Sequence, residues 1–171
     1  MNSDSFEKYI SDYGKDVYSF CRYLTGNVDD ADDLYQQTFL VAFQKGEIDD
    51  GRNPKSYLIT IAANIRNNSI RKKLWRSKKA NVIYMADEDL VQIEDSAQSV
   101  EESVEKKDEA AELRRLVDKL PDKLRIVILM YYMEEMSVDE IALALSIPAG
   151  TVKSRMHKAK KLLKERLDYE R

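Results

Sequence analysis

The chain has 171 residues but only 5 glycines and 3 prolines, so tight turns are few and an all-helical protein is favoured. It has one cysteine, Cys21, and one histidine, His157, which excludes a disulfide framework and a zinc site built from such ligands, and no metal or cofactor is predicted. No apolar run is long enough for a signal peptide or a membrane span, so we expect a cytoplasmic protein without membrane insertion.

The net charge of −3 conceals four blocks of alternating sign. Residues 1–50 have 4 basic and 11 acidic side chains (−7), and residues 64–79 have 7 basic and none acidic (+7). Residues 86–112 have 2 basic and 11 acidic side chains (−9), and residues 151–167 have 7 and 1 (+6). Two separate basic blocks predict two contacts with a polyanion.

The first part of the chain predicts two helices. Apolar residues recur at helical spacing from Phe6 to Leu24, Cys21 falls among them as a small core residue, and Gly26 predicts the helix end. A second helix is predicted from Asp29 to about Gln44, because carboxylates suit a helix N-terminus. Its inward face should hold Ala31, Leu34, Tyr35, Thr38 and Ala42, and its outer face Asp33, Gln36, Gln37, Leu40 and Gln44.

A glycine- and proline-containing loop, residues 45–54, precedes a third predicted helix that begins near Lys55. This helix continues into the first basic block, which contains a lone Trp75. We favour a packing or edge-anchoring role for Trp75, and the alternative is a platform for a nucleic-acid base. The expected buried stripe of the helix is Leu58, Ile61, Ala62 and Ile65.

Residues 86–108 are acidic, contain serines and lack aromatic side chains, a composition that favours a flexible linker. This linker would divide the chain into two small helical domains, residues 1–85 and 109–171. The simplest interpretation of the linker itself is a solvated spacer.

The second domain is predicted to begin with a helix near Glu109 that buries Leu113, Leu116, Val117 and Leu120. Pro121 should open the next helix, and residues 124–133 are apolar nearly all round, which predicts a central buried helix. Ser137 followed by Glu140 three residues later has the spacing of a capping box.

The residues after that cap have helix-turn-helix spacing: a short helix from Val138 to Leu145, a turn from Ser146 to Pro148, and a long basic helix. One face of the basic helix is apolar, and a helix of this kind lies in the DNA major groove with its polar face towards the bases. The alternative is a surface helix with solvated lysines. The apolar residues are Val152, Met156, Ala159 and Leu163, and the polar face holds Lys153, Ser154, His157, Lys158 and Lys161.

Three stretches resemble signatures of bacterial RNA polymerase sigma factors. "IPAGTVKSRMHKAKKLL" (147–163) resembles region 4, "DADDLYQQTFLVAF" (30–43) resembles region 2.2, and "PKSYLITIAANIRNNSIRK" (54–72) resembles regions 2.3 and 2.4. Two domains without a region 3 resemble the extracytoplasmic-function (ECF) group. The resemblance implies a promoter-specificity subunit that binds core RNA polymerase, recognises the −35 and −10 elements and helps to melt DNA.

The resemblance also implies residue roles. Core polymerase would contact Asp33, Gln36, Gln37 and Leu40, although the family usually has Gln-Glu where this chain has Gln36-Gln37. The −10 strand would meet the loop before the third helix together with Tyr57, Asn64, Asn68 and Arg71, where Tyr57 replaces the usual Trp and Asn68 a common Asp. Tyr57 is alternatively a core aromatic residue, and Asn64 alternatively a helix-capping or helix-contact amide. In region 4, the resemblance implies that Lys153, Ser154, His157 and Lys158 contact the −35 element.

An anti-sigma factor is a further implied partner, since many relatives are held inactive that way. The acidic linker would have an alternative role if it entered the positive cleft of the polymerase. Three rival classes remain: an enzyme, which lacks a nucleophile–base pair, a phosphate-binding glycine loop and a metal cluster; a stand-alone helix-turn-helix regulator; and an anti-sigma or adaptor protein.

Overall fold

The computed structural model describes residues 3–46, 53–80 and 109–170, which form an all-α protein with no strand among them. The linker predicted at 86–108 and most of the loop at 45–54 lie outside the described residues. The helices are α1 (Ser3–Thr25), α2 (Val28–Lys45), α3 (Pro54–Ala80), α4 (Glu109–Asp118), α5 (Asp122–Ile128), α6 (Val138–Leu145) and α7 (Ala149–Glu170), and a π-helical turn (Leu129–Met133) continues α5.

In the amino-terminal half, α1, α2 and α3 pack into a bundle. Gly26 ends α1 with a φ of +79°, a left-handed conformation that favours glycine. Asn27 then caps α2, because its Oδ1 accepts a 2.8 Å hydrogen bond from the Asp30 N–H. The buried residues of this bundle include Val17, Phe20, Cys21, Leu24, Ala31, Leu34, Leu58, Ile61 and Ala62.

In the carboxy-terminal half, α5 and the π-helical turn form the central segment. Every residue from Leu124 to Met130 is buried, whereas Tyr131 and Tyr132 are exposed, so the expected all-round burial holds for most of the run. Pro121 occupies the N-cap position of α5 rather than its first helical position. Leu113 of α4, expected to face inward, is 45% exposed.

Arg125 is the buried cation of this half, with 7% of its surface exposed. Burial lowers the pKa of its guanidinium, and the neighbouring Asp122 and Asp118 carboxylates oppose that change. The guanidinium fastens the end of α4 to the start of α5. Its N–H groups donate to the carbonyls of Val117 (3.1 Å), Asp118, Leu120 (2.8 Å) and Leu24 (2.9 Å) and to Asp122 Oδ1 (3.1 Å).

The two halves share one hydrophobic core. Residues of both, among them Val17, Ala62, Ile126 and Ile141, belong to the same buried cluster. Polar contacts also cross between the halves. Asn64 Nδ2 donates a hydrogen bond to Ala144 O (2.9 Å), and Arg125 Nη1 donates one to Leu24 O. Ion pairs join Arg66 Nη2 to Asp122 Oδ1 (3.4 Å) and Lys55 Nζ to Glu134 Oε2 (3.3 Å), and the Arg114 guanidinium lies 4.7 Å from the centre of the Tyr23 ring. The linker-based boundaries at 85 and 109 stay a prediction, but the halves they separate pack against each other here.

Candidate nucleic-acid interface and docking face

The helix-turn-helix of the carboxy-terminal half has the predicted local geometry. Glu140 N–H donates to Ser137 Oγ (3.1 Å), and Ser137 N–H donates to Glu140 Oε2 (2.8 Å), which completes the capping box at the start of α6. Ser146 ends α6 in a left-handed conformation with a φ of +55°. Ile147 N–H then bonds to Ala142 O at 3.0 Å, and this contact fixes the turn into α7.

The two faces of α7 differ as the sequence predicts. Val152, Met156 and Ala159 are buried against the rest of the half, so the helix is held by its apolar face. The opposite face is exposed along its length and combines positive charge with hydrogen-bonding groups, the composition expected for a helix in a major groove. It consists of Lys153, Ser154, His157, Lys158 and Lys161.

The outer face of α2 forms a second exposed surface. Asp33, Gln36, Gln37 and Leu40 are all exposed there, and 55% of the Leu40 surface is accessible. Phe43, one turn further on, is 47% exposed and packs edge-to-face against Phe6 at 5.0 Å. Leu40 and Phe43 therefore place two exposed apolar side chains one helical turn apart beside acidic and amide groups.

The residues predicted to contact the −10 strand share one face of α3. Tyr57, Asn64, Asn68 and Arg71 lie within about 60° of one another around the helix at 3.6 residues per turn. Only Asn68 and Arg71 are exposed. Tyr57 is half-buried against the core, and the half-buried Asn64 donates its amide hydrogen to Ala144 O of α6. The contacts seen here therefore fit the alternative given for each side chain: Tyr57 packs as a core aromatic residue, and Asn64 acts as a helix-contact amide.

Comparison with known proteins identifies the family. Family models of Sigma-70 region 2 and Sigma-70 region 4 match residues 9–76 and 110–163. The ECF RNA polymerase sigma factor SigW of Bacillus subtilis is 31% identical over 176 residues, which covers 97% of this chain and 90% of that protein. This chain belongs to the ECF sigma factors. It is a promoter-specific transcription initiation factor, and its partners are core RNA polymerase and promoter DNA.

One further relative and two solved structures also match this chain over almost its whole length. The RNA polymerase sigma-E factor of Streptomyces avermitilis is 30% identical over 164 residues, 95% of this chain and 85% of that protein. Among solved structures, the sigma factor RpoE in complex with the anti-sigma factor NepR from Bartonella quintana has a TM-score of 0.69 at 21% identity, covering 98% of this chain and 99% of that one. CnrH in complex with the cytosolic domain of CnrY has a TM-score of 0.63 at 22% identity, covering 99% and 92%. These two share the fold.

The structure of this sigma factor also singles out Trp75, for which we favoured a packing or edge-anchoring role. Its side chain is 63% exposed, so it is not a core residue. It lies seven residues after Asn68 and four after Arg71, which places it on the same face of α3. The shallow groove beside it is lined by Arg71, Lys72 and Arg76. In the sequence, the helical spacing from Asn68 was the signal that could have placed Trp75 on the same face of α3 as Asn68 and Arg71.

Within the described part of this sigma factor, no helix is both long and apolar enough to cross a membrane. The same part of the chain holds no cluster of three or more His, Cys, Asp or Glu side chains arranged for a metal ion.

Proposed function

We propose that α7 contacts the −35 element, that the exposed row on α3 contacts the −10 element, and that the outer face of α2 docks on core RNA polymerase. The observation that carries the proposal is the geometry of α7, where five polar and basic side chains lie exposed on a helix whose other face is buried. We further propose that the protein acts in the cytoplasm and has no catalytic activity of its own.

The proposed −35 contact uses side chains of different kinds. The lysines at 153, 158 and 161 suit phosphates, and Ser154 and His157 can form hydrogen bonds with base edges in the groove. Phosphate contacts contribute affinity regardless of sequence, whereas base-edge contacts contribute about 1–3 kcal/mol each to discrimination. Promoter choice at −35 therefore rests mainly on Ser154 and His157.

The proposed −10 contact extends along α3. Asn68 would read a base edge, Arg71 would hold the backbone, and Trp75 would offer a stacking surface worth about 1–3 kcal/mol per base. Tyr57 and Asn64 belong to the same face and would join once they are uncovered.

Neither basic surface is expected to hold a promoter alone. A few phosphate contacts give non-specific dissociation constants of about 10⁻⁴ to 10⁻⁶ M at physiological salt, and this chain is acidic overall. When a polymerase holds both surfaces at a fixed spacing, each raises the effective concentration of the other to about the millimolar range. Core polymerase therefore supplies the geometry that makes two weak contacts specific.

We also propose that an anti-sigma factor regulates this protein. One solved structure that shares its fold is the sigma factor RpoE in complex with the anti-sigma factor NepR, and another is CnrH in complex with the cytosolic domain of CnrY. The exposed apolar residues of α2, Leu40 and Phe43, offer a surface that such a partner and the polymerase would compete for.

Run-off transcription with purified core polymerase tests the proposal. Transcripts from a promoter with both elements should require this chain, and replacing Ser154 and His157 by Ala together should remove most of the difference between that promoter and one with a scrambled −35 element. A stand-alone regulator would instead leave core polymerase inactive and change only transcription driven by another sigma factor. That result would contradict the proposal.

A further inference from the structure

Among the glycines that the structure describes, Gly150 is the one whose missing side chain is not required by the chain itself. Gly26 and Gly46 have φ angles of +79° and +85°, a backbone conformation that residues with side chains rarely adopt. Gly14 faces the Tyr35 hydroxyl, whose oxygen would lie only 2.9 Å from a Cβ atom at position 14. Contacts or backbone conformation within the chain therefore explain these three glycines.

Neither explanation applies to Gly150. It lies in the first turn of α7, where the N–H groups of Thr151 and Val152 already donate to Pro148 O at 3.0 and 3.2 Å. Its φ angle lies outside the left-handed range, and a Cβ atom at this position would meet no atom within 4 Å beyond its own turn of helix. Alanine would therefore fit, and it would favour the helix, because glycine loses more backbone freedom on folding.

The empty space at Gly150 belongs to the polar face of α7. At about 100° per residue, Ser154, His157 and Lys161 all lie within about 40° of Gly150 around the helix axis. The fully buried Ala159 lies on the opposite side of the helix, and Gly150 itself is exposed. A side chain at position 150 would therefore project from the surface that we propose to contact the −35 element.

The polar face is longer than the major groove is wide. Gly150 and Lys161 are about 16.5 Å apart along the helix axis at about 1.5 Å per residue, whereas the major groove is about 12 Å wide. A helix that crosses the groove with Ser154 and His157 over the base edges therefore brings both ends of this face to the sugar–phosphate backbone. At one end Lys161 supplies a cation, and at the other end Gly150 presents no side chain.

We propose that Gly150 is a positioning residue for −35 recognition, because its missing side chain leaves room for the sugar–phosphate backbone of one DNA strand to pass directly against α7. This inference rests on the proposed contact of α7 with the −35 element. A methyl group at position 150 would hold the strand away from α7. Hydrogen bonds from Ser154 and His157 to base edges would then be lost, since their donor–acceptor distances span only about 2.7–3.2 Å.

Two measurements on the full chain test the proposal, because Gly150→Ala should change them in opposite directions. The melting temperature of the free protein should rise by about 1–4 °C, since alanine favours the helix and meets no neighbour. Binding of a promoter with both elements by the core polymerase complex should weaken about fivefold or more, the effect of losing one base contact. Gly150→Leu, which adds bulk but still favours a helix, should weaken binding further. Fluorescence anisotropy at saturating core polymerase measures the binding.

Gly14→Ala is the matched control, because it also adds one methyl group to a helical glycine, but beside Tyr35 in the amino-terminal half. It should leave the promoter affinity of the saturated polymerase complex unchanged. A promoter with a scrambled −35 element is the second control, and the parent chain and Gly150→Ala should bind it equally. Promoters that change each −35 base pair in turn identify the part of DNA involved. A contact with the sugar–phosphate backbone predicts that Gly150→Ala weakens binding to all of them by a similar factor.

Equal promoter binding by the parent chain and Gly150→Ala, a lower melting temperature of that variant, or an effect confined to one base pair would each overturn the proposal. The double replacement of Ser154 and His157 by Ala separates this outcome from a failure of the proposed function. If the double variant keeps its full −35 dependence, α7 does not contact this element and both proposals are wrong. If it loses that dependence while Gly150→Ala binds normally, only the role of Gly150 is wrong.

Discussion

Arg125 replaces a conventional cap at the end of α4. Its guanidinium donates to three carbonyls that follow one another around that helix end, and a fourth bond reaches Leu24 O of α1. A buried arginine is costly unless its donors are satisfied, and here they meet carbonyl oxygens, of which Val117 O also accepts from the Leu120 N–H at 3.0 Å. Removal of the guanidinium therefore takes a charged donor away from several carbonyls at this helix end.

We expect Arg125→Met to lower the free energy of unfolding by about 3 kcal/mol, since Met fills the volume but donates no hydrogen bond. Urea denaturation followed by circular dichroism measures the change. The exposed Lys119→Met is the control, with an expected change of less than about 0.5 kcal/mol. Equal loss in both variants would show that the carbonyl contacts are not what stabilises this end of α4.

Cys21 is a second residue whose chemistry follows from burial. Burial raises the pKa of its thiol from 9.0 to about 12, so the thiolate is almost absent at neutral pH. Because the folded-state pKa is the higher one, this group contributes stability below about pH 9 and loses it as the pH rises towards 12.

We therefore expect Cys21 to react with a thiol reagent such as Ellman's reagent at pH 8 only as fast as the protein unfolds. Its reaction should accelerate in urea in parallel with the loss of helical signal. An Asp12→Cys variant supplies an exposed thiol that should react at once. If Cys21 reacts at the same rate as the exposed thiol in native buffer, the core around α1 is open.

At the scale of the element, α7 separates a buried apolar face from an exposed polar face, for which we propose contact with DNA. Lys160 and Lys161 are neighbours, both exposed, yet they point in different directions around the helix. Lys160 Nζ lies 5.5 Å from the centre of the Tyr132 ring, whereas Lys161 belongs to the polar face with Ser154 and His157. This difference gives a matched test of the −35 contact.

We expect Lys161→Ala to weaken promoter binding by the polymerase complex and to reduce the slope of log affinity against log salt by about 0.9, the value for one phosphate contact. Lys160→Ala should leave the slope unchanged. Fluorescence anisotropy across a salt series measures both. The same slope in both variants would move the phosphate contacts away from the Lys161 side of α7.

At the scale of the whole molecule, we propose that the two halves act on a promoter only as a pair. The polar face of α7 is exposed, whereas Asn64 on the proposed −10 face of α3 is half-buried and bonded to Ala144 O. We therefore expect the arrangement seen here to offer DNA only part of the proposed contacts.

We expect the free protein to give no mobility shift of promoter DNA at nanomolar concentration and physiological salt, where non-specific dissociation constants are about 10⁻⁴ to 10⁻⁶ M. Adding core polymerase should give a stable, sequence-dependent shift. A tight shift by the protein alone would contradict the requirement for polymerase.

The periodicity and capping signals of the sequence determined the helices and most of their faces. The residues that cap or end a helix are local, so Gly26, Ser137 and Glu140 predicted its boundaries directly, and α6 has the predicted bounds. The polar face of α7 and the outer face of α2 followed from the same helical spacing. The sequence signatures also indicated the family that the comparisons confirm.

Only the tertiary structure decided which residues, distant in the sequence, Asn64 and Arg125 contact. Asn64 bonds a residue 80 positions away, and Arg125 bonds one 101 positions away. Helical periodicity predicts that one face of a helix is apolar. It does not specify which other helix packs against that face or which residues at its edge stay exposed. Leu113 is therefore exposed against expectation and Asn64 is half-buried, because the packing of neighbouring helices sets the edge of the core. The exposed Trp75 rules out burial in the core but not the edge-anchoring role.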